Sequence, residues 1–209
     1  MNPEILYEDP QLVVCIKPVG VLSQGDQGES MVSLLAQVCG SPIYPLHRLD
    51  REVSGVMVYA KTKEAAAFLS HQISERRLKK EYLALVHGAP AEAQGEMCDL
   101  LFKDSGKNKS FVVKRMRKGV KDAKLEYRVL ESKSLEGELF SKVHIRLHTG
   151  RTHQIRVQFS SRQMPLAGDK KYGAKDGFDS ICLWSHRLTF PHPKTKKVLS
   201  FAFEPKIPL

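Results

Sequence analysis

The chain is poor in the features that would make it a membrane protein, a secreted scaffold or a metalloprotein. None of its apolar runs approaches the roughly 20 residues that a membrane-spanning helix needs. The opening MNPEILYEDPQ carries Glu4, Glu8 and Asp9, and lacks both the basic start and the apolar core of a secretory leader. Cysteine is sparse and scattered: Cys15, Cys39, Cys98 and Cys182 form neither a C-x-x-C pair nor a Cys/His set at zinc spacing. They read as reduced thiols of a cytoplasmic protein, with Cys15 and Cys182 expected in the core. Repeats, low-complexity tracts and Pro/Gly/Ser linkers are also missing, so the expectation is a single domain over residues 1–209. Acidic residues are outnumbered, 23 against 33 basic ones, which leaves a net charge of +10. That surplus suits a polyanionic partner, either nucleic acid or an anionic membrane surface.

What the chain does contain is ordinary globular material, 42% hydrophobic. Leu12 to Ile16 is a continuous apolar run of buried-strand type, and Ser54 to Ala60 alternates like a strand. Ser30 starts a helix to about Val38, closed by Gly40, and Lys63 to Arg77 reads as a second, with Phe68 and Ile73 on its apolar side. Further strands are expected over 81–87, 125–130, 141–148 and 197–203, and Thr152 is a candidate cap for a helix to about Arg162. Residues 103–122 are the most basic stretch, with a hairpin-like apolar centre at Phe111-Val112-Val113; Phe111 is expected in the core rather than stacked on a base. Strands outnumber helices and do not alternate with them, which predicts an α+β fold with a mixed, mostly antiparallel sheet.

Three polar clusters stand at the edges of these elements: His47-Arg48-Leu49-Asp50, Lys79-Lys80-Glu81-Tyr82, and His148-Thr149-Gly150-Arg151-Thr152-His153-Gln154-Ile155-Arg156. Singly they have plain explanations. Asp50 between two arginines can be a solvated ion pair, Tyr82 a strand aromatic, and His153 a hydrogen-bonding structural histidine.

In their order they resemble the signature segments of the RluA family of RNA pseudouridine synthases: H-R-L-D followed by S-G, then K-x-Y-x-A-x-V, then T-G-R-T-H-Q-I-R-V. Lys17-Pro18-Val19-Gly20-Val21-Leu22 and Gly168-Asp169-Lys170-Lys171-Tyr172-Gly173 are similar to two further family elements. Gln158 and Val53 depart from the pattern, at positions that carry no chemistry. Many relatives bear an accessory N-terminal RNA-binding domain, for which the strand motif at Leu12 leaves no room.

The resemblance implies the pseudouridine synthase catalytic fold with a central active-site cleft, and a reaction that detaches uracil from ribose and rejoins it through carbon 5. It assigns the catalytic carboxylate to Asp50, as nucleophile or as base. Arg156 becomes its guanidinium partner, and Tyr82 lies against the uracil ring. Arg48 fills the gap left by the flipped nucleotide. His47, Arg151 and His153 are placed at the substrate, and Lys17 is assigned either to a phosphate or to support of the pocket. Lys114, Arg115 and Arg117 of the basic stretch are expected on RNA phosphates. No metal or organic cofactor is required. The expected partner is a stem-loop of ribosomal or transfer RNA, bound by a monomer without membrane attachment. A non-catalytic RNA-binding module would explain the charge but not the Asp-Tyr-Arg set. A metal-dependent nuclease would need a carboxylate cluster.

Overall fold

A computed structural model describes residues 3–25 and 29–207. In chain order the elements are β1 (Glu4–Glu8), β2 (Leu12–Lys17), α1 (Met31–Cys39), β3 (Tyr44–Pro45), β4 (Ser54–Ala60), α2 (Lys63–Ser74), β5 (Lys79–His87), β6 (Gln94–Asp104), β7 (Lys109–Val113), β8 (Val120–Leu135), β9 (Glu138–Leu147), α3 (Gln154–Ser160), β10 (Leu183–Pro191) and β11 (Val198–Ala202). The fold is α+β with mostly antiparallel pairing, as the sequence predicts. The chain divides into two compact units, Met1–Lys80 with Trp184–Pro205, and Glu81–Leu183 with Lys206–Leu209.

The first unit is built on β4. The strand is buried along its whole length, on both faces, so the alternation expected of Ser54 to Ala60 does not mark a solvent-facing side. β2 pairs with it antiparallel from Leu12↔Ala60 to Lys17↔Gly55, and β1 flanks β2. β10 joins β4 in parallel at Trp184↔Ser54 and Ser185↔Gly55, then pairs antiparallel with β11. Gly55 permits the parallel contact: its φ is +121°, and a Cβ there would stand 2.3 Å from the Ser185 carbonyl oxygen. One sheet face, with Leu12, Val14, Ile16, Val56, Val58, Leu188 and Phe190, packs with Leu69 of α2 and Leu78. Phe68 and Ile73 close the edge of this cluster, the side of α2 that their spacing indicated.

α1 starts at Ser30 in a reciprocal capping box with Ser33 and ends at Gly40 in the left-handed conformation. α2 stops at Ser74 rather than at the expected Arg77. Arg76 adopts a φ of +56°, and the backbone N–H groups of Arg77 and Leu78 both turn back to the Gln72 carbonyl.

The second unit is a sheet in the order β5-β9-β8-β6-β7. β6 and β7 form a hairpin from Leu100↔Val113 to Asp104↔Lys109. Its turn is closed by the Asp104 carboxylate, which accepts the Lys107 N–H at 3.0 Å, and by Asn108 at a φ of +44°. Val157 of α3 and Tyr172 pack with Leu101 and Ala123 of the sheet. No described helix is long and apolar enough to cross a membrane.

Candidate active site

The H-R-L-D loop of the first unit is pinned on both sides of Asp50. The buried Ser23 hydroxyl accepts the Leu49 N–H at 2.9 Å and donates to the Leu49 carbonyl at 2.9 Å. Tyr59 of β4 in turn donates its hydroxyl to the Ser23 carbonyl at 2.9 Å. On the far side, Arg51 donates Nε to the Gly20 carbonyl at 2.8 Å, and the Gly20 N–H donates back to the Arg51 carbonyl at 2.8 Å. Asp50 itself is half-buried and accepts the Val53 N–H on its backbone carbonyl. Arg48 is exposed. A carboxylate whose chain neighbours are fixed this way is pre-aimed, which lowers the ordering cost of bringing it to a reacting atom.

Lys17 supports the same loop from below. Its amine is fully buried and donates to three carbonyls, Pro18 at 2.8 Å, Val21 at 2.8 Å and Arg51 at 3.1 Å. Burial brings its pKa down to about 8, with Asp50 and Glu52 acting in the opposite direction. The amine thus ties together the carbonyls of Pro18, Val21 and Arg51.

His47 accepts the Val58 backbone N–H on Nε2 at 3.3 Å, while its buried Nδ1 has no hydrogen-bond partner among the described residues. Burial first, and the nearby Lys80 amine second, push its pKa well below the usual histidine value. The ring is therefore neutral, with its proton on Nδ1.

In the second unit, Tyr82 lies in β5 and is 6% exposed. The third cluster makes a tight turn into α3. Thr152 does not cap the helix, contrary to expectation: His153 occupies that position at a φ of +53°, without a side-chain cap. Gln154 organises the turn instead. Its Oε1 accepts the Thr149 hydroxyl at 2.8 Å and the Arg151 N–H at 3.0 Å, and its Nε2 donates to the Lys124 carbonyl at 3.1 Å. The left-handed His153 sets its ring edge-on to Tyr172, with Nδ1 and the Tyr172 hydroxyl 2.9 Å apart.

The two arginines of this cluster, alike in sequence, part company here. Arg151 donates Nε to the Asp122 carbonyl at 2.7 Å near the surface. Arg156 is 3% exposed and forks onto Asp169, with Nε to Oδ2 at 2.6 Å and Nη2 to Oδ1 at 2.9 Å. Nη1 lies outside that fork. The Tyr172 ring lies under the guanidinium, 5.1 Å from Cζ. Asp169, with 0% exposure, also accepts the Tyr172 N–H. Segments 149–156 and 168–173 thus share one buried network; the second is the element that the resemblance picks out without a role for Asp169 or Tyr172.

The network reaches the basic hairpin. The Ser110 N–H donates to the Tyr172 hydroxyl at 2.8 Å, and Lys109 holds its amine 4.9 Å above the Tyr172 ring. Phe111 is 37% exposed, which corrects the expectation of a core position: in β7 it alternates with Ser110, and Ser110 is the buried one. Lys114, Arg115 and Arg117 are exposed around Met116, itself 57% exposed. Gln158 is buried, donating Nε2 to the Met97 carbonyl at 3.1 Å and to Asp99 at 2.7 Å, a structural role. No group of three or more His, Cys, Asp or Glu among the described residues is arranged to hold a metal.

Residues 11–161, which span parts of both units, match the family model described as RNA pseudouridylate synthase. An uncharacterised RNA pseudouridine synthase of Mycoplasma genitalium is 33% identical over 97% of this chain and 67% of its own length. A tRNA pseudouridine synthase C of Pasteurella multocida is 31% identical over 96% of this chain and 90% of its own. Among solved structures, human RNA pseudouridylate synthase domain containing 1 superposes with a TM-score of 0.82 at 26% identity, over 98% of this chain and 84% of that one. The chain belongs to the RNA pseudouridylate synthase family, a class of isomerases acting on RNA. Its kinship is with the RluA-type members that the ordered motifs indicated.

Proposed function

We propose that this protein isomerises particular uridines of structured ribosomal or transfer RNA to pseudouridine, working as a monomeric catalytic domain in the cytoplasm with Asp50 as its catalytic carboxylate. The observation that carries the reading is the Asp50 loop, whose backbone is clamped by Ser23, Gly20 and Lys17 in a chain of this family.

A short ionised carboxylate can attack the anomeric carbon of ribose or take a proton from the neighbouring carbon. Arg156 is the guanidinium partner that the family resemblance assigns to that carboxylate. Its guanidinium suits the task because Asp169 already fixes its plane through Nε and Nη2. Tyr82 gives the uracil a ring to lie against, and Arg48, being exposed, fills the stack that the flipped nucleotide vacates. His47, Arg151 and His153 shape the substrate's surroundings. The basic hairpin and the loop after it, with Lys114, Arg115 and Arg117, take RNA phosphates.

The test is Asp50→Asn, which keeps shape and removes charge. With total RNA from cells lacking the gene as substrate, the variant should fold, bind RNA and form no pseudouridine. Product at the wild-type rate would overturn the assignment.

A further inference from the structure

The K-x-Y segment contains a cation that the reading above leaves unused. Lys80, at the start of β5, is partly buried, and no hydrogen bond or ion pair among the described residues engages its amine. Lys17, the other enclosed lysine beside this loop, spends its amine on three carbonyls. The titratable group that Lys80 acts on is His47, and that ring is neutral, with the Val58 N–H on Nε2, so it supplies no counter-charge. Burial alone brings the Lys80 pKa down to about 8. A cation withdrawn from water without a counter-charge is costly in the free protein. Such a cost is kept where an anion arrives during function.

We infer that Lys80 is a catalytic residue whose ammonium group stabilises the negative charge on the detached uracil. The inference rests on the proposed isomerisation. Breaking the bond between the ribose anomeric carbon and uracil N1 sends the electron pair away with the base, whether Asp50 bonds to the anomeric carbon or removes the proton on the next carbon. The uracil then carries a full negative charge spread over its ring nitrogens and carbonyl oxygens. Carbon 5 then bonds to the anomeric carbon as the Asp50 carboxylate oxygen leaves it, or as Asp50 returns its proton to the next carbon; the proton on carbon 5 is lost and N1 gains one, so the product is an isomer and Asp50 is again a carboxylate. Lys80 stays protonated throughout and donates a hydrogen bond to a uracil carbonyl oxygen.

Position favours the base over a backbone phosphate as the anion. Lys80 neighbours His47 of the loop that carries Asp50. It also precedes Tyr82 by two residues in one strand, so the two side chains leave β5 on the same side. Tyr82 is the residue proposed against the uracil ring. Phosphate contacts are better served by the exposed cations of the hairpin. A poorly hydrated ammonium acts most strongly on charge that develops in a site closed to water.

The experiment uses total RNA labelled with [5-3H]uridine from cells lacking the gene, with single-turnover tritium release and filter binding as readouts. Lys80→Met keeps the stem and removes the charge. Its release rate should fall by about 100-fold or more, with RNA affinity within about threefold of wild type. Lys80→Ala should be stimulated at least about tenfold by ethylamine, a rescue that a packing role would not give. Asp50→Asn is run alongside: if it releases tritium normally, the underlying isomerase reading fails. If Asp50→Asn is dead while folded Lys80→Met releases tritium at the wild-type rate, Lys80 is not catalytic. Weaker RNA binding with a normal rate at saturation would make Lys80 a phosphate contact and overturn the inference. Should Lys80→Met not fold, a folded Lys80→Ala that ethylamine leaves unstimulated overturns it as well.

Discussion

At the scale of single residues, the separation of Arg156 from Arg151 is the sharpest point. Both sit in one short motif, yet one is buried on a carboxylate and the other rests on a backbone carbonyl near the surface. Lysine keeps the charge but cannot reproduce a two-pronged planar contact. Arg156→Lys should therefore lower the single-turnover rate by about 100-fold with RNA affinity nearly unchanged. Arg151→Lys should instead act through binding or folding. A normal rate for Arg156→Lys, with Arg151→Lys folded, RNA-bound and inactive, would reverse the assignment. Asp169 supplies a second test. Both it and Arg156 are almost wholly enclosed, so removing one charge strands the other. Asp169→Asn should cost about 3–5 kcal/mol in urea unfolding. A loss below about 1 kcal/mol, the range of an exposed pair, would show the fork to be dispensable for stability.

At the scale of elements, the legible parts were those whose signal is local. The apolar run of β2, the strand character of β4 and the Ser30 and Gly40 boundaries of α1 all follow from spacing and capping. β10 escaped because buried Ser185 and His186 interrupt its apolar pattern: Ser185 donates to the Val56 carbonyl, and His186 pairs with the Phe203 carbonyl. Those partners are distant in sequence and invisible in a window of ten residues. The same holds for Ser23 clamping Leu49 and for Asp169 holding Arg156. The motifs named Asp50 and Arg156; the groups that fix the Asp50 loop and the Arg156 guanidinium come from other segments. The capping error at Thr152 has a related cause, since Gln154 holds the turn before the helix and leaves His153 at the cap position.

The hairpin carries its own prediction. Lys114, Arg115 and Arg117 are exposed beyond β7, and Arg117 stacks over Phe102 with Cζ 5.1 Å from the ring centre. That stacking gives Arg117 a fixed place. Changing all three to alanine should weaken RNA binding at moderate salt. If each meets one phosphate, it should also reduce the slope of log affinity against log salt by about 2–3. An unchanged slope would mean that RNA phosphates lie against other parts of the chain.

At the scale of the whole molecule, the surplus of positive charge and the family chemistry point to one expectation about metals that can be separated from RNA folding. The net charge of +10 provides the field that draws in a polyanion, so the protein does not need bridging cations to meet RNA. The chemical steps proposed here use a carboxylate, a guanidinium and an ammonium group, and ask for no Lewis acid. The four cysteines are free thiols, Cys15 and Cys182 buried, with burial raising both thiol pKa values to about 12, which disfavours the thiolate form that binds metals. Divalent ions would then matter only through the shape of the RNA. Tritium release should survive exhaustive chelation by EDTA when the RNA is kept folded by monovalent salt, verified by its melting curve in the same buffer. Activity lost under those conditions, and restored by a stoichiometric transition metal while the RNA melting curve stays unchanged, would place a metal in the chemistry and replace the mechanism built on Asp50.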